Sequence, residues 1–173
     1  MIFTGFKYKS NQIFFKKNVE KLIETNRFQS EDKIKSVLFI TDDEYTIDEV
    51  KDTLPKVLGL DNKNVDYILF QSRKSRGLAH YNVVSPGDFG WNGKIKADAV
   101  NAITKKKYDV IINYSRMDIV YINILLLQTK TTLRIGLSHL DKSIYDLMIN
   151  CEPNNISVIN SEIKKYLIAL NKL

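Results

Sequence analysis

The stretch YDVIINYSRMDIVYINILLLQTKTTLRIGLSH, Tyr108–His139, decides the fold. It reads strand, loop, helix, strand. YDVIINY carries Val110-Ile111-Ile112 without polar alternation, the pattern of a strand covered on both faces, as in parallel sheets. MDIVYINILLLQ is a helix apolar almost all round, and TLRIG is a short strand that closes the unit. A parallel sheet with helices on both sides is therefore expected. No phosphate-cradling glycine loop, metal-ligand cluster or nucleophile motif follows either strand, so those chemistries have no sequence basis here.

Working outward, SVLFIT at 36–41 reads as the first strand and residues 64–70 as the second. With 108–114, 131–135 and 145–149 they predict a three-layer Rossmann-like α/β sandwich with a mostly parallel sheet of about five strands. Residues 11–27 have the spacing of an amphipathic helix, with Ile13, Phe14, Val19, Leu22 and Ile23 on one side and Lys16, Lys17 and Lys21 on the other. Thr46 with Glu49 fits a capping box opening a helix through Ile47, Val50, Leu54 and Leu58, and Pro55 predicts a kink or early stop. A helix is expected over Lys96–Lys107, and a last one capped by Asn155 or Ser157. The expected division is a basic arm over 1–35 and a single Rossmann-like domain over 36–173.

A length of 173 residues suits one domain, and 44% hydrophobic with 27% charged residues is ordinary for a globular chain. The single cysteine, Cys151, excludes an internal disulfide and fits a reducing compartment. The amino terminus has no signal-peptide core, and the apolar run 119–127 is far short of the ~20 residues that span a bilayer. A cytoplasmic protein with no membrane span is expected.

The formal net charge of +6 is unevenly spread: residues 1–35 carry +4, 36–71 carry −5, 72–107 carry +6 and 108–173 carry +1. Clustered lysine and arginine are the footprint of a binder of anionic surfaces, although the Lys, Ile and Asn bias of an AT-rich genome has the same look. Arg73, Lys74 and Arg76 follow the second strand at the edge where open α/β sheets bind ligands, with His80 and Tyr81 as stacking groups nearby. Asp42, Asp43 and Glu44 stand where a dinucleotide-binding fold places its glycines; they would repel pyrophosphate, and they read as helix-terminal residues ahead of the alternative, a magnesium site. No cofactor and no metal is expected.

SPGDFGWNGKI at 85–95 gathers three glycines and the only tryptophan, a structured turn that positions Phe89 and Trp91 either as a platform or as packing. Asn113, Tyr114, Ser115 and Arg116 end the first strand of the organising unit, and Gly136, Ser138 and His139 end the next at the same edge.

DFGWNGK (88–94), YDVIINY (108–114), IGLSH (135–139), YDLMIN (145–150) and KKYLIALNKL (164–173) resemble a family of short, uncharacterised bacterial proteins classed as a domain of unknown function. That resemblance implies a Rossmann-like domain and carries no activity. A fainter one, to the N-terminal half of heptosyltransferase-type GT-B glycosyltransferases, rests on the strand, helix and glycine-ended strand of 108–136. The sequence departs from it in lacking a glycine-rich turn after the first strand and a C-terminal domain for the nucleotide sugar.

Three readings of function follow. The first is a non-catalytic basic module docking on RNA or a ribonucleoprotein, with Arg73, Lys74 and Arg76 on phosphates, Lys105, Lys106 and Lys107 as auxiliary contacts and Trp91 as a stacking group. The second is a small-molecule or sugar-handling enzyme, or a degenerate relative of one, using Asp88 as acid or base, His139 as proton carrier, and Asn113 and Arg116 for orientation. It requires the loops at 71–81, 88–93, 113–116 and 136–139 to converge on a pocket. The third is a protein-interaction module, such as a homodimer through the apolar 119–127 helix.

Overall fold

The computed structural model describes residues 2–73 and 81–173, with side chains from residue 5 onward. One all-parallel sheet contains β1 (Val37–Thr41), β2 (Val65–Phe70), β3 (Val83–Val84), β4 (Lys107–Asn113), β5 (Lys130–Leu137) and β6 (Leu147–Ile149). Across the sheet the order is β3-β2-β1-β4-β5-β6. The Rossmann-like expectation holds, with six strands in place of five. The added strand, β3, is two residues long, too short for periodicity to reveal.

Helices α1 (Ile2–Thr25), α2 (Glu44–Leu58), α3 (Asp98–Thr104), α4 (Val120–Gln128) and α5 (Ile156–Ala169) form the outer layers. Alternation along the strands sorts the core in two. Leu38, Ile40, Ile68, Phe70 and Ile111 pack with α1, α3 and α4, whereas Val37, Phe39, Leu69, Val110, Ile112 and Ile135 pack with α2 and α5. Every β1 residue is buried, as a strand covered on both faces must be.

Val120–Leu127 of α4 are all buried. A helix apolar on every side needs cover on every side. The sheet supplies one cover and α1 the other, through Phe14, Phe15, Val19, Leu22 and Ile23. The apolar 119–127 segment is thus covered by the chain's own α1. That helix starts at Ile2, not at residue 11; Phe14, Val19, Leu22 and Ile23 face the core as expected, but Ile13 is 47% exposed and Asn11 is fully buried. A purely hydrophobic pattern misses an inward-facing asparagine.

The N-cap of α2 is Asp43, whose carboxylate accepts from the Tyr45 N–H (3.2 Å) and the Thr46 hydroxyl (2.6 Å), so Thr46 lies inside the helix and does not cap it. Pro55 falls in the last turn, and the helix runs on to Leu58 before Gly59 closes it at φ +67°. Asn155 caps α5 as expected, and α3 is shorter than the pattern suggested. Arg134 is wholly buried where α1 and α4 end, its Nη2 3.4 Å from the carbonyls of Asn26 and Thr129. Burial lowers its pKa, and the negative ends of two helices account for a cation there. Among the described residues, no helix is long and apolar enough to cross a membrane.

Candidate functional site

The chain leaves β1 for α2 on one face of the sheet and leaves β4 for α4 on the other, so the carboxyl ends of these neighbours form the topological switch point where open α/β sheets bind ligands. Here the chain fills that crevice itself. The Asp42 carboxylate accepts from the backbone N–H groups of Arg116 (2.8 Å) and Met117 (3.1 Å), donors of the kind that elsewhere hold a phosphate. The Arg116 guanidinium donates to Asp43 at 2.6 Å. An acidic side chain thus occupies the position of an anionic ligand, and Arg116 is committed to a carboxylate.

The other residues at this edge are bonded internally too. Asn113 donates to the Tyr145 hydroxyl (2.7 Å) and accepts from the Ser115 N–H (3.0 Å). Gly136 is required because a Cβ there would lie 2.7 Å from the Tyr145 ring. His139 is exposed, with Nε2 3.1 Å from the Ser115 carbonyl, which fixes the proton on that nitrogen. Asp88 is buried and accepts from the Ser85 N–H (2.8 Å) and hydroxyl (3.0 Å), capping a short turn. Asp88 follows β3 and His139 follows β5; three strands lie between, about 19 Å at the usual strand spacing. A cavity of about 150 Å³ opens beside the start of α4, lined by Tyr8, Gln12, Asp118, Asn123 and Asp141 among others, and by none of Asp88, Asn113, Arg116 or His139. Among the described residues no group of three or more His, Cys, Asp or Glu could hold a metal ion.

Of the basic loop after β2, Arg73 is exposed; Lys74, Arg76 and His80 lie outside the described residues. Tyr81 donates to Asp48 at 2.7 Å, a hydrogen bond that pushes its pKa up to about 12.

The glycine-rich stretch forms a tight turn. Lys94 N–H bonds to the Trp91 carbonyl (3.1 Å), and the two residues between, Asn92 and Gly93, have φ of +52° and +73°, the signature of a type I′ turn. It is clamped by α1. Asn11 donates to the Gly90 carbonyl (2.9 Å) and accepts from the Gly93 N–H (2.8 Å), and a Cβ on Gly93 would overlap the Phe14 ring. Phe89 is buried against Tyr121 of α4, with ring centroids 4.9 Å apart. Trp91 is the outward aromatic, 49% exposed. The turn therefore packs one aromatic and presents the other.

At the opposite edge, by the amino ends of β4 and β5, lies an open groove of about 440 Å³ lined by Asn26, Asn101, Thr104, Lys105, Lys107, Gln128 and Lys130. The ends of α1, α3 and α4 converge there. Lys105, Lys107 and Lys130 are exposed, and none meets a carboxylate in the groove lining; Lys107 sits over the Phe28 ring at 5.9 Å. Lys106 differs, since its ammonium donates to Asp66 at 2.7 Å. Each carboxamide donates to a backbone carbonyl: Asn26 to Leu127, Asn101 to Ile95 and Gln128 to Gly93.

A described protein family matches residues 7–170 of the chain. The chain belongs to DUF6913, a family of unknown function. It has no match among curated proteins and none among solved structures. The family spans α1 as well as the sheet, in keeping with the packing of α1 on α4. Sequence reasoning missed the groove because Asn26, Asn101, Gln128 and Lys130 are spread over 105 positions; no local motif joins them. The Asn92-Gly93 dipeptide was a legible turn signal that the composition of the stretch obscured.

Proposed function

We propose that the chain is a non-catalytic binding domain that docks on RNA, free or within a ribonucleoprotein, through the groove at the amino ends of β4 and β5. The observation that carries this reading is the lining: three lysines, three carboxamides and a threonine, with no carboxylate. An ammonium without a carboxylate beside it keeps its attraction for phosphate, and phosphate contacts supply most of the sequence-independent affinity for nucleic acid. Exposed Lys9, Lys16, Lys17 and Lys21 of α1 and Lys94 and Lys96 before α3 extend the positive field over the same layer. On the other layer, α2 carries four acidic residues against two lysines and would repel a polyanion. Arg73 lies beyond the far end of β2, about 20 Å away by strand rise, and enters only as a separate contact.

The enzyme reading has less support. Asp88, Asn113 and Arg116 are each engaged in a bond that holds a turn or crevice together. The test is fluorescence anisotropy with a labelled RNA of about 12 nucleotides, within the usual span of one single-strand site. The expected slope of log affinity against log salt is about −0.7 per neutralised phosphate, hence about −2 from three lysines. Changing Lys105, Lys107 and Lys130 together to Glu should weaken binding about 100-fold. A folded triple variant that binds as tightly as the parent would overturn the proposal.

A further inference from the structure

We infer that the RNA is single-stranded and that one of its bases stacks on Trp91; this rests on the RNA reading of the groove. The Trp91 turn and the groove are one continuous surface. Gln128, a groove residue, donates to the Gly93 carbonyl at 2.7 Å, and Asn101, another, reaches the Ile95 carbonyl at 3.4 Å. On the same segment, exposed Lys94 and Lys96 have side-chain atoms 3.4 and 3.0 Å from where a Cβ on Gly90 would be, beside the Trp91 turn. A strand leaving the groove would pass these two ammonium groups and arrive at the indole.

The indole is prepared for that role. Trp91 is half exposed, and among the described residues it makes no side-chain hydrogen bond or ring contact. Its backbone, by contrast, is fixed by the Asn92-Gly93 turn and by the two hydrogen bonds from Asn11, so little conformational freedom remains to be lost on binding. An aromatic held this way beside a cationic track is the arrangement that binds single strands through stacking. The groove's chemistry agrees: with their N–H groups on backbone carbonyls, Asn26, Asn101 and Gln128 keep side-chain oxygens as acceptors for exocyclic amines of unpaired bases. In an A-form duplex the amines of adenine and cytosine lie in a deep, narrow groove that side chains do not enter. A groove of about 440 Å³ is also of small-ligand size, suited to a nucleotide or two and not to a duplex.

Trp91 is the chain's only tryptophan, so its fluorescence reports this contact without labelling. The intact chain is titrated with one single-stranded RNA and with its duplex, followed by anisotropy and by tryptophan emission. The single strand should bind at least ~10-fold tighter than the duplex and quench the emission. Trp91→Ala should weaken single-strand binding about 10-fold and leave duplex binding unchanged, while Trp91→Phe keeps most of the affinity. If single strand and duplex bind alike and Trp91→Ala changes neither, the stacking inference falls and the groove reading stands. If the parent binds no RNA, both fall. A blue shift with anionic phosphatidylglycerol vesicles but not with RNA overturns the inference in favour of a lipid surface, toward which exposed Phe6 and Ile13 of α1 would also point.

Discussion

At the carboxyl ends of β1 and β4 the side chains of Asp42, Asp43, Asn113 and Arg116 are bonded within the chain, whereas beside the amino ends of β4 and β5 three lysines line a groove that contains no carboxylate. The physical difference is burial. Asp43 and Asn113 are under one-tenth exposed, and a buried polar group without a partner costs on the order of 1–3 kcal/mol, so both are held by bonds within the chain, whereas the buried Ser115 hydroxyl has no partner among the described residues. Lys105, Lys107 and Lys130 are solvated and lose little by waiting for a ligand. The polar residue types gathered at the favoured edge of this Rossmann-like sheet are, for Asp42, Asp43, Asn113 and Arg116, engaged in bonds within the chain.

Variants can break that contrast in order of effect. Gly93→Ala should be the most severe, because it adds a Cβ into the Phe14 ring at a backbone angle that disfavours side chains. About 3 kcal/mol of stability is expected to go, with a Tm drop on the order of 10 °C, and RNA affinity should fall with it because Gln128 of the groove is bonded to the Gly93 carbonyl. The charge-reversed lysine triple should separate the two properties, losing affinity while thermal unfolding stays within a few degrees of the parent. Asp43→Ala should do the reverse: it removes the α2 cap and the partner of Arg116, for about 1–2 kcal/mol in urea unfolding, with RNA affinity unchanged. A large affinity loss in that variant would mean the two edges are coupled. Lys106→Ala is the smallest change, a few tenths of a kcal/mol because the pair with Asp66 is largely exposed, and less than about twofold in RNA affinity. A drop as large as that from its neighbours would show that Asp66 does not hold it.

Much of the fold was legible because burial on both faces leaves a strong mark on sequence. Val110-Ile111-Ile112 and the all-apolar 119–127 run could only belong to the middle of a layered structure, and SVLFIT and VDYILF repeat the strand signal. One element escaped and another was legible only in part. β3 is too short to have a pattern, and α1 showed its core face at Phe14, Val19, Leu22 and Ile23 but not its first turns, nor that Asn11 points inward to bond the Gly90–Gly93 turn while Ile13 points out. Of the candidate site, the residue types were visible and their partners were not. Trp91 was noted as a candidate platform and Lys105–Lys107 as auxiliary contacts, but nothing local said that Lys106 is paired or that Lys130 joins its neighbours from another strand.

The sequence by itself determined the layered parallel sheet, the uneven charge and the lack of a nucleotide-binding glycine loop, because each follows from neighbours in the chain or from composition. Only the tertiary structure decided which polar groups are already taken and which remain open. Asp42 meets Arg116 and Met117 across more than 70 residues, and Gln128 meets Gly93 across 35. Such pairings depend on strand order and on how α1 is seated over α4, and those are set by packing of the whole core.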